Sequence, residues 1–305
     1  MLAVQLLFAS NAVVGRVNVQ WLGPKLLVLL RVVVAALVFL ALARRLGARL
    51  PVSRGDLARL GLCAILGVSL NQACYLTGLA YSTATHASLI GTSVPVFTAA
   101  VAALAGQERM TWRKAAGIGL ALTGALYLAR VGSLGLRLGS LGDLLFLASS
   151  LSYACYLVLG RSLLRRYGAG TLVVWTFALG AILILPFGLP GLPVFGGVGV
   201  RHPLPSWIGL TVAYTILFPT VLAYLLNAYA LERVDSSTAA AFIYLQPIFA
   251  TALALPILHE RLSPRTGIAA ALIFLGILLS TLGGAAATLP DDRRPAPLDE
   301  EPCSP

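Results

Sequence analysis

Residues 93–113 read SVPVFTAAVAALAGQERMTWR, and residues 245–265 read LQPIFATALALPILHERLSPR. Laid over each other at an offset of 152 without gaps, Pro95, Phe97, Glu108, Arg109 and Arg113 fall on Pro247, Phe249, Glu260, Arg261 and Arg265, and the match continues from Leu120 and Gly124 to Leu272 and Gly276. Each copy is an apolar run with a proline inside it, a Glu-Arg pair at its end, then a second apolar run. Apolar composition alone does not hold a proline, an ion pair and a glycine in one register. The chain is therefore read as a duplication.

Outward from these copies the whole chain is apolar: of 305 residues, 58% are hydrophobic and 11% charged, with a mean hydropathy of +0.89. A soluble domain carries about 25% charged residues to cover its surface. Soluble enzyme, nucleic-acid-binding domain, disordered regulator and disulfide-rich secreted module are set aside on that ground, leaving a polytopic membrane protein. About twenty apolar residues at 1.5 Å rise cross a hydrocarbon core of roughly 30 Å. Cutting at charges and turn residues gives ten runs, near 2–20, 25–43, 58–79, 84–105, 112–130, 141–159, 170–189, 207–230, 236–258 and 265–284. Leu60 to Gln107 holds no Asp, Glu, Lys or Arg, and Tyr81, Ser82 and Thr83 divide it in two. Residues 188–206, rich in Gly and Pro, are expected to be non-helical, and the Pro- and acid-rich residues from Pro290 on to be a disordered tail.

Five runs per copy is an odd number, so the second copy enters the membrane from the opposite side to the first. The predicted fold is an all-α integral membrane protein, ten transmembrane helices as two inverted five-helix repeats, 1–130 and 131–289, with a cytoplasmic tail at 290–305. Inverted repeats are the mark of secondary transporters, which expose one central site to either face in turn. The net charge of +11 forms no basic face, so it implies topology and no nucleic-acid partner. One set of alternate connections holds 14 Lys and Arg (Arg44, Arg45, Arg49, Arg54, Arg59, Arg109, Arg113, Lys114, Arg161, Arg165, Arg166, Arg233, Arg293, Arg294) and the other holds 6 (Lys25, Arg130, Arg137, Arg201, Arg261, Arg265). Both termini are thereby placed in the cytoplasm. Met1 to Phe8 carry no basic leader and run on through Arg16, so they read as a first membrane helix and not a signal peptide, with a slightly longer natural N-terminus expected. Cys63, Cys74, Cys155 and Cys303 stand too far apart for a metal or disulfide pattern.

At this level the sequence resembles the EamA-type branch of the drug/metabolite transporter superfamily. The likeness is carried by Ser10-Asn11 through Gly15-Arg16, Leu30-Arg31, Pro95 to Glu108-Arg109 with Gly117 and Gly124, Gly142-Asp143, and Pro247 to Glu260-Arg261 with Gly276. It implies ten helices in two five-helix repeats and the export or exchange of small metabolites. It does not name the solute.

Charge inside the hydrocarbon costs roughly 2.5–3.5 kcal/mol, so Arg16 and Arg31 are site candidates, against snorkelling to the outer interface. Their functional reading is a contact with an anionic or carboxylate-bearing solute, or a gate. Pro95 and Pro247, mid-helix, are expected to kink two helices around one cavity, whereas Pro219 and Pro256 lack an equivalent and read as local kinks. His86, at the outer start of the fourth helix, is the candidate for coupling a proton, against a plain hydrogen-bonded helix start. Uncharged polar residues gather as Asn11, Asn71, Gln72 and Tyr75 in the first half and Tyr153, Tyr156, Tyr224, Asn227, Tyr244 and Gln246 in the second. Some bridge helices; with Trp175 the tyrosines suit an amphipathic cavity wall. Glu108-Arg109 and Glu260-Arg261 read as interfacial ion pairs. Gly117, Gly119 and Gly124 read as small-residue helix packing, since no strand precedes them to make a dinucleotide site.

These features favour a secondary transporter of small organic solutes, preferably an exporter, with the lipid bilayer and the solute as partners. No Walker motif is present, so neither ATP nor another cofactor is expected. No Asp or Glu lies mid-membrane, which favours a facilitator or exchanger over a carboxylate proton relay. The rival is an integral membrane enzyme acting on lipids, which needs clustered acid, base or metal-ligand residues at an interface. The acidic residues here stand singly. A scaffold or sensor is a third class.

Overall fold

The computed structural model describes residues 2–49, 53–107, 111–128, 138–192, 203–233, 245–260 and 263–282. Among these every regular element is helical: α1 (Leu2–Leu42), α2 (Arg54–Ala64), α3 (Leu70–Tyr81), α4 (Ala84–Gly91), α5 (Val94–Leu104), α6 (Trp112–Leu128), α7 (Leu138–Leu183), α8 (Leu185–Gly188), α9 (Trp207–Thr215), α10 (Ala223–Arg233), α11 (Gln246–Leu258) and α12 (Pro264–Leu282). A π segment, Ile65–Ser69, joins α2 to α3, and a second, Ile216–Leu222, joins α9 to α10. Five helical stretches are long and apolar enough to cross a membrane: Leu2–Leu42, Arg54–Tyr81, Ala84–Leu104, Leu141–Leu183 and Trp207–Ala230, with two shorter apolar helices at Gln246–Leu258 and Pro264–Leu279.

α1 and α7 contain 41 and 46 residues, about 60 Å or more at helical rise, twice a hydrocarbon thickness. Each is interrupted by one glycine, Gly23 at φ 70°, ψ 159° and Gly168 at φ 78°, ψ 168°. Only glycine adopts that backbone freely. Contacts show the chain doubling back there. Before the break, Asn18 bonds Thr215 and Phe8 meets Tyr224, so the first arm of α1 descends as α9–α10 advances; eight residues past the break, Arg31 bonds Thr220, back between those levels. In α7, Asp143, Asn71-bonded Ser149 and Arg166 step along α3 and α2 from Ser82 to Asp56, and beyond Gly168 the chain returns so that the Gly180 carbonyl meets Ser69.

Several features recur near one offset. The two glycine breaks lie 145 residues apart and the π segments start 151 apart. α6 packs on α12 through Gly124, which faces Leu272 and Ile273, and Gly276, which faces Gly117 and Ala121. Each glycine thus meets the other helix at the residues 152 away from its own helix neighbours. Gly119, expected in the same packing role, faces open space. The buried core joins α1, α3, α4, α5, α6, α7 and α12 through residues such as Leu27, Phe39, Leu76, Ile90, Phe146, Phe177 and Ile273. Lipid tails are as apolar as these side chains, so close packing and interhelical hydrogen bonds hold the bundle, not apolar burial alone.

Two expectations need correction. The segment from Gly188 is not wholly non-helical, because α8 runs to Gly188 and a 3₁₀ turn covers Leu189–Gly191. Pro186 and Pro190 stand in first turns, where a missing N–H breaks no intrahelical bond. Likewise Pro95 and Pro247 are not helix-interior residues. Pro95 lies in the first turn of α5, after an interruption at Thr92 and Ser93, and Pro247 in the first turn of α11. The prolines inside helical runs are Pro219, in the π segment, Pro256, within α11, and Pro24, beside the Gly23 break of α1. Glu108, Arg109, Arg261, Tyr244 and the tail from Pro290 fall outside the described residues.

Candidate functional site

A cavity of about 170 Å³ lies at the centre of the bundle. Of the residues expected at a site, Asn11 and Arg31 reach it from α1, Asn71, Gln72 and Tyr75 from α3, Tyr153 from α7, Tyr224 and Asn227 from α10, and Gln246 from α11. The wall also includes Gln5, Ser88, Ser149 and Ser150, which sequence reasoning missed, with Phe8, Val94, Phe146, Leu157 and Pro219 supplying apolar surface. Serine is common in membrane helices and often bonds its own backbone, so only its face on the helix distinguishes a lining serine from a silent one.

Hydrogen bonds across the cavity tie early and late parts of the chain. Gln72 Nε2 donates to the Tyr224 hydroxyl at 3.0 Å, Asn227 Nδ2 to the Tyr153 hydroxyl at 3.3 Å, and Gln246 Nε2 to Gln5 Oε1 at 2.5 Å. Asn71 Nδ2 donates to both oxygens of Ser149, at 2.9 Å each. Tyr224 is set edge-on against Phe8 and Phe177, 5.9 and 5.2 Å between ring centroids, so its hydroxyl is held in position.

Arg31 is 1% exposed and turned inward, which excludes snorkelling. Its Nε and Nη2 donate to Thr220 Oγ1 at 3.1 and 2.8 Å, while that hydroxyl donates to the Thr215 carbonyl at 2.7 Å. The local reason is Pro219: without an N–H, and with its ring against the preceding turn, it favours the wider π register that turns Thr220 toward Arg31.

Arg16 does not reach the cavity. Its Nη1 donates to the Leu79 carbonyl at the end of α3, one of the carbonyls a helix terminus leaves free. Trp175 is not a cavity wall either: its indole N–H donates to the Arg49 carbonyl at 2.9 Å. Tyr156 lies outside the wall and packs on Tyr153 at 5.5 Å and over Gly67. A wider, shallower hollow of about 350 Å³ opens between residues 46–49 and 166–170, away from these side chains.

His86 has a partner that the sequence did not reveal. Its Nδ1 lies 3.0 Å from both oxygens of Asp143, which also accepts from the Ser82 hydroxyl. Asp143 is 2% exposed and comes this close because Gly142 packs directly on the backbone of Gly78 and Ser82, where a Cβ would lie within 2.8 Å of both. Glu260 caps α4: Oε1 accepts from Ala84 N at 2.7 Å, and Oε2 from Thr85 N at 3.1 Å and Thr85 Oγ1 at 2.6 Å; its expected partner Arg261 lies outside the described residues. Asp143→Ala is expected to lower stability by about 1–3 kcal/mol, since the buried Ser82 hydroxyl and the half-buried His86 lose the carboxylate they share. His86→Gln, whose amide still donates, should cost about 1 kcal/mol. Thermal unfolding of the purified variants in detergent checks the order, and equal effects would show that the pair contributes nothing beyond packing.

Long apolar helices enclosing a largely apolar cavity, with aromatic and polar side chains in its wall, have the character of a multi-pass membrane protein. The EamA-like transporter family model matches residues 1–130 and 140–282, and the chain belongs to that family, within the drug/metabolite transporter superfamily. It is 31% identical over 234 residues to an uncharacterized transporter of Archaeoglobus fulgidus (75% of this chain, 78% of that one). It is 30% identical to a probable terminal-alkyne amino-acid exporter of Streptantibioticus cattleyicolor (87% and 86%) and 30% identical to a probable amino-acid metabolite efflux pump of Salmonella typhimurium (92% and 93%). A crystal structure of another protein superposes on 93% of this chain and 96% of its own with a TM-score of 0.62 at 21% identity, a likeness of fold.

Proposed function

We propose that the protein is a secondary transporter that exports small organic metabolites, such as amino acids or drugs, across the cytoplasmic membrane by alternating access. Ten spans follow if α1 and α7 each count twice, α2–α3, α4–α5 and α9–α10 once each, and α6, α11 and α12 once each. The repeats are then residues 1–130 and 131–289, inverted, with both termini cytoplasmic and the connection around 188–206 outside.

The single observation that carries this reading is the hydrogen bond from Gln72 to Tyr224 in the cavity wall. These residues are 152 apart, the offset of the sequence duplication. A residue that touches its own repeat image lies on the axis relating the two copies, and solute sites of inverted-repeat transporters lie at that axis. The reciprocal packing of Gly124 and Gly276 supports the same axis. Export as the direction, and amino acids as candidate cargo, rest on the names of the relatives.

Counterflow in proteoliposomes tests the transporter: internal unlabelled solute should accelerate entry of labelled solute, as a carrier with one alternating site requires. Flux of every tested metabolite without such acceleration overturns alternating access. Orientation is tested on a cysteine-free background with Arg45→Cys and Ser206→Cys. An impermeant thiol reagent applied to intact cells should label the second and spare the first, and the reverse pattern overturns the orientation.

A further inference from the structure

We infer that the central cavity selects solutes carrying one carboxylate and a net charge of −1, with that carboxylate bound at Nη1 of Arg31; the inference rests on the transporter reading and names its substrate class. The guanidinium is buried and lines the cavity, yet Nε and Nη2 both converge on the single hydroxyl of Thr220. Nη1 is likewise out of solvent and has no acceptor within hydrogen-bond distance among the described residues. Among the described residues, no Asp or Glu lines the cavity and no acidic side chain pairs with Arg31. Arg31 is one of the residues lining this space, so a permanent cation stands beside it with one donor unused and, among the described residues, no counter-charge.

Arginine remains charged in proteins, so the site cannot relieve this by losing a proton. Burying a charge without a partner is strongly unfavourable, and a solute carboxylate corrects both defects at once, with a charge-assisted hydrogen bond to Nη1 and a counter-charge. A neutral amide supplies the acceptor without the charge, and an amine meets like charge. A zwitterion supplies the acceptor but leaves the loaded cavity as positive as the empty one, so it ranks below the monoanion. The rest of the wall fits the rest of such a solute: Phe8, Phe146 and Leu157 are apolar, and Gln72 Oε1, also buried and unpaired, accepts one N–H or O–H. At about 170 Å³ the cavity is smaller than the roughly 300–1,000 Å³ of drug-sized sites, so the solute is small.

The probes are benzoate, benzamide, benzylamine and phenylglycine, near in shape and differing in charge. Binding to the full-length protein in nanodiscs is measured by calorimetry. Benzoate should bind at least about tenfold more tightly than benzamide, with phenylglycine between them and benzylamine weakest. Arg31→Gln should abolish the benzoate preference and leave benzamide affinity within about twofold. Arg31→Lys should restore part of it, because an ammonium keeps the charge without the planar fork. Thr220→Val keeps the cation and removes only its protein acceptor, so it should retain the full preference and keeps the test usable if the Arg31 variants fail to fold. Equal binding of benzoate and benzamide by the unaltered protein overturns the inference and leaves the transporter intact. Failure of all four probes to bind also overturns it, and counterflow of other metabolites in the same preparation then decides whether the transporter reading stands.

Discussion

Gly276→Ala is expected to destabilise the protein by about 2 kcal/mol, although alanine is the better helix former. The helix preference alone favours alanine by about 1 kcal/mol. Against it stands geometry: a Cβ at Gly276 would lie 2.5 Å from Ala121 N and 2.6 Å from Gly117 O, both backbone atoms of α6 that no side-chain rotation moves. α12 must therefore shift away from α6, and overpacking of this kind costs 1–3 kcal/mol or more. Gly119→Ala on α6 is the control, because nothing lies within 4 Å of its Cβ position. There only the helix preference remains, and stability should rise by a few tenths to 1 kcal/mol. Opposite shifts of the thermal unfolding midpoint in detergent check both signs, and a fall at Gly119 as large as at Gly276 would sink the packing account.

The same contrast explains what the sequence reveals and what it hides. The offset of 152 picks out Gly124 and Gly276 together, and spacing along a helix then favours contact. It does not separate Gly117 from Gly119, because two positions along a helix is a change of face that hydropathy does not register. The polar residues of the apolar runs were legible as a group for a physical reason. Asn11, Asn71, Gln72 and Asn227 cannot face lipid cheaply, so they turn to the interior and meet around one cavity. Arg16 and Trp175 obey the same rule by another route: they donate to backbone carbonyls, of Leu79 in the last turn of α3 and of Arg49 in the connection after α1, and a backbone acceptor leaves no mark in a sequence. The His86–Asp143 pair was hidden because its partners sit 57 residues apart, one in the first turn of α4 and the other in the second turn of α7, and neither position alone points to the other.

Glu260→Ala is expected to open the protein on the side of the α4 start, with impermeant-reagent labelling of Ser88→Cys from outside the cell rising at least about tenfold. Ala84 and Thr85 are the first two residues of α4, and their amides have no partner within the helix. Glu260 satisfies both and takes the Thr85 hydroxyl as well, while its negative charge lies at the positive end of the helix. Three charge-assisted bonds thus hold the end of α11 against the start of α4, above a small apolar seam of Ala9, Ala12, Val13, Ala84, Ala250 and Ala254. Phe249, Leu253 and Leu258 pack against this seam, and the carboxylate adds the directional, charge-assisted part of the seal. In the proposed alternating-access cycle, with the start of α4 on the proposed outer side, this junction parts when the cavity opens there, and losing a few kcal/mol shifts a closed-to-open ratio by about one or two powers of ten. Ser88 reports the event because it lines the cavity and is 5% exposed. Glu260→Gln, keeping an acceptor and losing the charge, should fall between Glu260→Ala and the parent. Thr83→Ala separates sealing from mere helix capping: it removes the Thr83 bond to His86 N within α4 and costs about 1 kcal/mol of stability, but leaves the Glu260 junction whole. Labelling should rise in the Glu260 variants and not in Thr83→Ala. If Ser88→Cys reacts as slowly with Glu260→Ala as with the parent, Glu260 is a local cap and the outer seal lies elsewhere.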